Sequence, residues 1–152
     1  MAINNYASVM AIPAAVQAEI TVKWLKKADA VFSCAENSNA GIFLQKFCLK
    51  HRKPLLDLRA GFAVEENVAY PPIAEVSLCV PGGACLGCMR LSEREHVSCT
   101  PLSAIAASMG MKMFMSWLAR ERLEFNFVQF NGLTYETTPM FIDKRDDCSL
   151  CK

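Results

Sequence analysis

The sequence predicts a single α/β domain in which parallel N-terminal strands are followed by an antiparallel C-terminal hairpin, with cysteines stapling the two parts. Three observations carry this reading. Apolar runs of strand length alternate with helix-periodic segments in the first third of the chain, the pattern of parallel strands joined by covering helices. Two β-rich runs flank Asn131-Gly132, the dipeptide that most readily takes the positive φ angles of a type I′ turn. Two CxxC pairs, Cys85 with Cys88 and Cys148 with Cys151, stand far apart in the chain. With 152 residues, 53% of them hydrophobic, there is material for one core and too little chain for two, so residues 1–152 are read as one domain.

Taken in order, YASVMAIPA (6–14) reads as a short apolar strand ended by Pro13. AAVQAEITVKWLKKA (14–28) places Val16, Ile20, Trp24 and Leu25 at helical spacing. DAVFSC (29–34) is a continuous apolar run of strand length. NSNAGIFLQKFCLKHR (37–52) begins on an Asn/Ser cap, carries a stripe through Ile42, Leu44, Phe47 and Cys48, and ends in a basic turn that suits the helix dipole. KPLLDL (53–58) is the third strand. YPPIAEVSLCVPGG (70–83) is a proline-bounded strand with a turn at 81–83. LEFNFVQFNGLTYETTPMFID (123–143) is the hairpin. No internal repeat or low-complexity segment interrupts this order.

Residues 101–118, PLSAIAASMGMKMFMSWL, are long enough to span a membrane. Lys112 at mid-segment opposes this, because a central lysine costs about 2.5–3.5 kcal/mol on insertion scales. The charged run ARERLE follows directly, so the segment is read as a buried helix and no membrane partner is expected. Sixteen Lys and Arg against 15 Asp and Glu leave a net charge of +1, too little for a phosphate-backbone field, so nucleic acid is not expected either. The N-terminus has no basic segment ahead of an apolar run. It does not read as a secretory signal, and a cytoplasmic, reducing location is expected.

That location bears on the eight cysteines. Cys85, Cys88, Cys148 and Cys151 can offer four thiolates to one tetrahedral zinc, a closed shell with no position for an activated water, and hence a structural site. The alternatives are two redox CxxC motifs or thiols spaced this way by chance. A redox motif is expected at a helix N-terminus after a strand, and these pairs read as loop and terminal segments. Cys99 precedes Pro101, a favoured first helical position, with Ser98 and Thr100 beside it as caps. A thiol there can have its pKa lowered and act as a nucleophile; it can equally be a small half-buried side chain at a helix entrance. Cys34, Cys48 and Cys79 fall inside apolar patterns and are read as core. His51 and His96 are read as solvated residues of charged segments.

Taken together, SCAEN at a strand end, a helix, PLLDL, a strand, CLGC, a spaced cysteine at a long apolar helix, an NG hairpin and a terminal CSLC resemble the C-terminal three fifths of the ThiF/MoeB/HesA family, adenylating enzymes related to ubiquitin-activating enzymes. The resemblance covers nearly the whole chain, and the paired CxxC spacing is its most specific part. It implies a Rossmann-like, zinc-bound fold. It also implies activation of the C-terminal glycine of a ubiquitin-like or sulfur-carrier protein with ATP and magnesium, usually by a homodimer.

Position by position, Cys85, Cys88, Cys148 and Cys151 match the family's zinc tetrad. Cys99 matches the cysteine with which some members receive the activated carrier. Glu36 stands where the DxTDN segment has its magnesium- and ATP-associated second aspartate, and Asn37 keeps the next residue. Three departures qualify the activity. No GxGxxG exists among the seven glycines, and in the family that loop belongs to a βαβ unit which would precede Met1. Gly41 or Ala40 stands where the family has the arginine of its TR pair, and the helix after Cys99 carries Ala, Ser and Met where glycines are usual. The chain is therefore expected to be a partial or split subunit that needs a separate ATP-binding half, or a catalytically inert zinc-stabilised interaction module.

Overall fold

A computed structural model describes residues 6–35, 38–62, 64–65, 68–89, 97 and 99–151. The helix α1 (Glu19–Leu25) leads to β1 (Val31–Ser33), α2 (Ser38–His51) and β2 (Leu55–Gly61). A two-residue pair, β3 (Val64–Glu65) with β4 (Val68–Ala69), precedes β5 (Ile73–Cys79). Then come the single turn α3 (Leu86–Met89), the long helix α4 (Thr100–Leu118), and the hairpin β6 (Phe127–Asn131) with β7 (Thr137–Met140). The main sheet has the order β1-β2-β5-β6-β7, with β1 and β2 parallel and every other neighbouring pair antiparallel.

Side chains alternate across the sheet, so each central strand feeds two cores. Leu56, Ala74, Val76, Leu78 and Val128 face α4 and meet Leu102, Ala106 and Met113. Leu55, Cys79, Phe127 and Val31 face the other way, toward α2 and the cysteine pairs. Close approach of α4 is possible because position 110 is glycine: a Cβ there would lie 2.7 Å from Leu58 Cδ2. β2 and β5 are covered on both faces, so neither has a solvent-exposed side: the face toward α4 is apolar, and the face toward α2 also buries Asp57, Glu75 and Ser77.

Four expectations change. Residues 7–14 form no strand; Tyr6, Val9 and Met10 are exposed, and no described strand lies beyond β1 to pair with them. The helix at 100–118 is not buried all round, since Met111, Lys112, Met115 and Leu118 are exposed while its inner stripe packs on the sheet. The hairpin forms, but not through a type I′ turn at Asn131-Gly132. Asn131 Oδ1 instead accepts the Leu133 and Thr134 amides, at 2.9 and 3.3 Å, and Tyr135 takes the positive φ of 61°. An Asx cap thus replaces the two-residue turn because Gly132 is held elsewhere, its amide bonded to Pro72 O at 2.7 Å. Cys34, lastly, is not core: it follows the end of β1 and is exposed, whereas Cys48 and Cys79 are buried.

Candidate metal centre

The first cysteine pair is placed by a turn and a buried amide. After β5, Gly82 takes φ 88° and the Gly83 amide closes onto Val80 O at 3.0 Å, turning the chain back across the sheet end. Cys85 O then accepts the amides of Cys88 (2.9 Å) and Met89 (3.1 Å), which winds CLGC into the turn α3. Gln45 of α2, 1% exposed, receives the Leu86 amide on Oε1 at 3.0 Å and so ties this knuckle to the helix above it. The second pair arrives along the chain leaving β7, where the Cys148 amide bonds Arg145 O at 3.3 Å. Gly87 is the point of contact between the two: a Cβ there would lie 2.9 Å from Leu150 Cδ1 and 3.1 Å from Cys148 Sγ.

All four Sγ atoms lie within 4.8 Å of one another. Cys85 is 3.8 Å from Cys88 and 3.5 Å from Cys148, and Cys88 is 3.5 Å from Cys151. A tetrahedron with Zn–S bonds of about 2.3 Å has sulfur edges of about 3.8 Å, so these spacings suit one zinc ion. They are far longer than the S–S bond of about 2.05 Å, and all eight cysteines are free thiols in this structure. Cys85, Cys88 and Cys148 are buried and Cys151 is half-buried, so the centre is closed on the protein side.

Electrostatics point the same way. Burial pushes the Cys85 thiol up, against the opposing amide of Cys88. Burial opposes ionisation of Cys148 too, but the amides of Leu150 and Cys151 outweigh it and hold that thiol down to about 6. Cys151 is pushed up by burial and by its hydrogen bonds to Cys88 and Cys148. Cys88 Sγ accepts the Arg145 amide at 3.4 Å. Backbone N–H groups therefore already face sulfur, yet four thiolates this close repel one another and need a cation to ionise together.

The other sequence-predicted residues lie elsewhere. Cys99 is outside the cluster, at the N-cap of α4 with φ −133° and ψ 113°; it is half-buried against the α4 core, and its side chain makes no cap hydrogen bond. Its carbonyl accepts both the amide and the hydroxyl of Ser103. Glu36, Asn37, His96 and Ser98 lie outside the described residues. His51 is not simply solvated: its ring stacks on Phe47 at 4.3 Å.

Sequence reading missed a polar group at the C-terminal ends of the parallel pair. Asp57, 2% exposed, pairs with Arg59 at 2.8 Å, and both approach Gly41 of α2, whose Cβ would lie 3.6 Å from Asp57 Oδ1 and from Arg59 Nη2. Ser33 sits beside Asp57 in register, and its buried hydroxyl has no hydrogen-bond partner among the described residues. The signal available was two charges at alternate positions, Asp57 and Arg59, inside the otherwise apolar run LLDLRAG.

A protein-family model described as the ThiF family matches residues 1–150. No curated protein sequence matches the chain. Among solved structures, E. coli MccB with ATP is similar with a TM-score of 0.67 at 18% identity, over 93% of this chain and 44% of that one. E. coli MccB with MccA-N7isoASN is similar with a TM-score of 0.69 at 17% identity, over 93% of this chain and 46% of that one. The heterocyclase TruD is similar with a TM-score of 0.51 at 14% identity, over 86% of this chain and 24% of that one. The likeness is one of fold, and the chain spans less than half the length of the MccB chains it matches.

Proposed function

Since the chain belongs to the ThiF family, we propose that it is the zinc-stapled part of an adenylating enzyme that activates the C-terminal carboxylate of a ubiquitin-like or sulfur-carrier protein. A separate ATP-binding half completes it. The observation that carries this reading is the convergence of Cys85, Cys88, Cys148 and Cys151 at tetrahedral spacing, which joins the turn after β5 to the chain leaving the hairpin. The similar MccB of E. coli has been solved with ATP and with MccA, which supports a nucleotide and a partner molecule for this fold.

Zinc held by the four sulfurs is structural, since a closed thiolate shell offers no open coordination position. In the completed enzyme, Glu36 and Asn37, which match the family's magnesium- and ATP-associated segment, would be the residues to hold a magnesium-bound phosphate. ATP supplies an adenylyl group that converts the carrier's carboxylate into an activated acyl, with pyrophosphate as the leaving group. We assign to Cys99, at the entrance of α4, the role of taking that acyl group as a thioester, with AMP leaving. We place the enzyme in a reducing compartment, the cytoplasm, which suits four metal-binding thiolates, as a homodimer or with a complementary subunit.

One observation favours a second reading. None of the glycines at 41, 61, 82, 83, 87, 110 and 132 stands in a GxGxxG spacing, so the sequence carries no glycine-rich phosphate loop of that kind. An inert module that keeps the carrier-binding surface and has lost the chemistry fits that absence. ATP–pyrophosphate exchange separates the two, measured for this chain alone and with the polypeptide encoded immediately upstream. Exchange only in the mixture supports the split enzyme. Silence in the mixture, while the chain still binds a sulfur-carrier protein, supports the module.

A further inference from the structure

Asn126 stands at a junction of three segments. Its carbonyl accepts the Leu78 amide from β5 at 2.8 Å, and its own amide bonds Met140 O, the last residue of β7, at 3.1 Å. The side chain then carries the pairing one rung further than the backbone does. Nδ2 donates to Ile142 O at 2.8 Å and Oδ1 accepts the Ile142 amide at 2.8 Å, so the carboxamide reproduces both bonds of a strand pair where no strand is left. Three residues on, the Arg145 amide bonds Cys88 Sγ, and Arg145 O accepts the Cys148 amide.

We propose that Asn126 is a positioning residue for the metal: its carboxamide is the last attachment of the tail to the sheet and sets where Cys148 and Cys151 meet Cys85 and Cys88. This rests on the zinc reading of the four thiols. Residues 141–147 form no helix or strand, so their path is fixed by this two-bond clamp at one end and by the sulfur cluster at the other. A carboxylate at position 126 accepts the Ile142 amide but opposes Ile142 O with a second oxygen, which removes half of the clamp without changing its size.

The test is zinc release from the loaded full chain to the chelating dye 4-(2-pyridylazo)resorcinol. It compares the unaltered chain, Asn126→Asp, Asn126→Ala and a control at the far hairpin tip, Thr134→Ala. Outer hydrogen-bond partners that touch a metal ligand typically change affinity by about 10- to 100-fold; Asn126 touches no ligand and acts through the tail, so release faster by at most the lower of these figures, about 10-fold, is expected for both Asn126 variants, with the control unchanged. A cobalt-loaded sample read by its sulfur-to-metal charge-transfer band reports on the sulfur geometry itself and shifts only in the Asn126 variants. Should Asn126→Ala fail to fold, the isosteric Asn126→Asp decides. Release within about twofold of the unaltered chain in Asn126→Asp, or equal acceleration by Thr134→Ala, overturns the proposal. Less than one zinc per unaltered chain overturns the metal reading and the proposal with it, and that result is visible in the stoichiometry before any variant is made.

Discussion

The sheet face beneath α2 has two ends built on opposite principles. At one end Leu55, Cys79 and Phe127 pack with the four clustered thiols, and the sulfurs lie 3.5–3.8 Å from one another, with Cys88 Sγ accepting a backbone amide. At the other end Ser33, Asp57, Ser77 and Glu75 are buried polar groups, Gln129 donates to Glu75 at 2.7 Å, and the Ser33 hydroxyl lacks a partner among the described residues. Buried polar groups cost free energy unless they are paired, so a fold keeps an unpaired one only where something else uses it. The sulfur end is complete within this chain once an ion is bound. The strand end keeps a buried hydroxyl, that of Ser33, which no described residue pairs.

The largest effect expected from breaking this contrast is at the sulfur end. Binding of structural zinc to small Cys-rich sites is worth about 10–16 kcal/mol at neutral pH, and that binding energy is folding energy. A strong zinc chelator, or Cys85→Ser, is expected to lower the melting temperature by well over 10 °C and to release residues 141–151 to proteolysis. Metal analysis of the untreated chain should give one zinc with four protected thiols. Acid should release the zinc, because protons compete with the metal for the four thiolates; zinc loading that does not fall as the pH is lowered from about 7 to about 5 would contradict thiolate ligation.

The next effect in size is at the strand end. Arg59→Ala leaves the Asp57 carboxylate buried without the guanidinium that pairs with it at 2.8 Å. Removing one partner of a buried pair costs about 3–5 kcal/mol, here toward the lower figure because the Arg59 side chain is 15% exposed. Urea unfolding measures it. The double variant Asp57→Asn with Arg59→Ala should recover part of the loss, since no lone charge remains. Zinc stoichiometry should stay at one in both, because the two ends share the sheet but no hydrogen bond between them is present among the described residues.

Much of this architecture could be read in advance, for reasons that differ by region. β1, α2 and β2 were legible because continuous apolar runs and a helical stripe are local signals of burial. The sulfur centre was legible because two CxxC spacings specify ligand chemistry even though the pairs are 63 positions apart from Cys85 to Cys148. Strand direction was not: an apolar run such as IAEVSLC reads the same in either sense, and β5 turned out antiparallel to β2. Residues 6–14 were apolar enough for a strand, but pairing depends on a neighbour that no local pattern encodes. Asp57 and Arg59 escaped notice because their value lies in a cross-element meeting with Gly41. Cys34 looked like core because it ends an apolar run, yet the run stops being buried at Ser33.

The smallest effect, and the most diagnostic, belongs to Ser33. If the strand end were ordinary core, its unpaired hydroxyl would be a defect, and Ser33→Ala should stabilise the isolated chain by about 1 kcal/mol, up to the 1–3 kcal/mol cost of an unsatisfied buried donor. On the proposed split-enzyme reading the same change should weaken pyrophosphate exchange in the mixture with the ATP-binding half, since the hydroxyl sits beside Asp57 at the end of the parallel pair. Gain in urea stability together with loss of pyrophosphate exchange in the reconstituted mixture is the signature of a group kept for use and not for folding. A stabilised variant with undiminished exchange would assign Ser33 to packing alone, and the contrast between the two ends would then reduce to one of polarity.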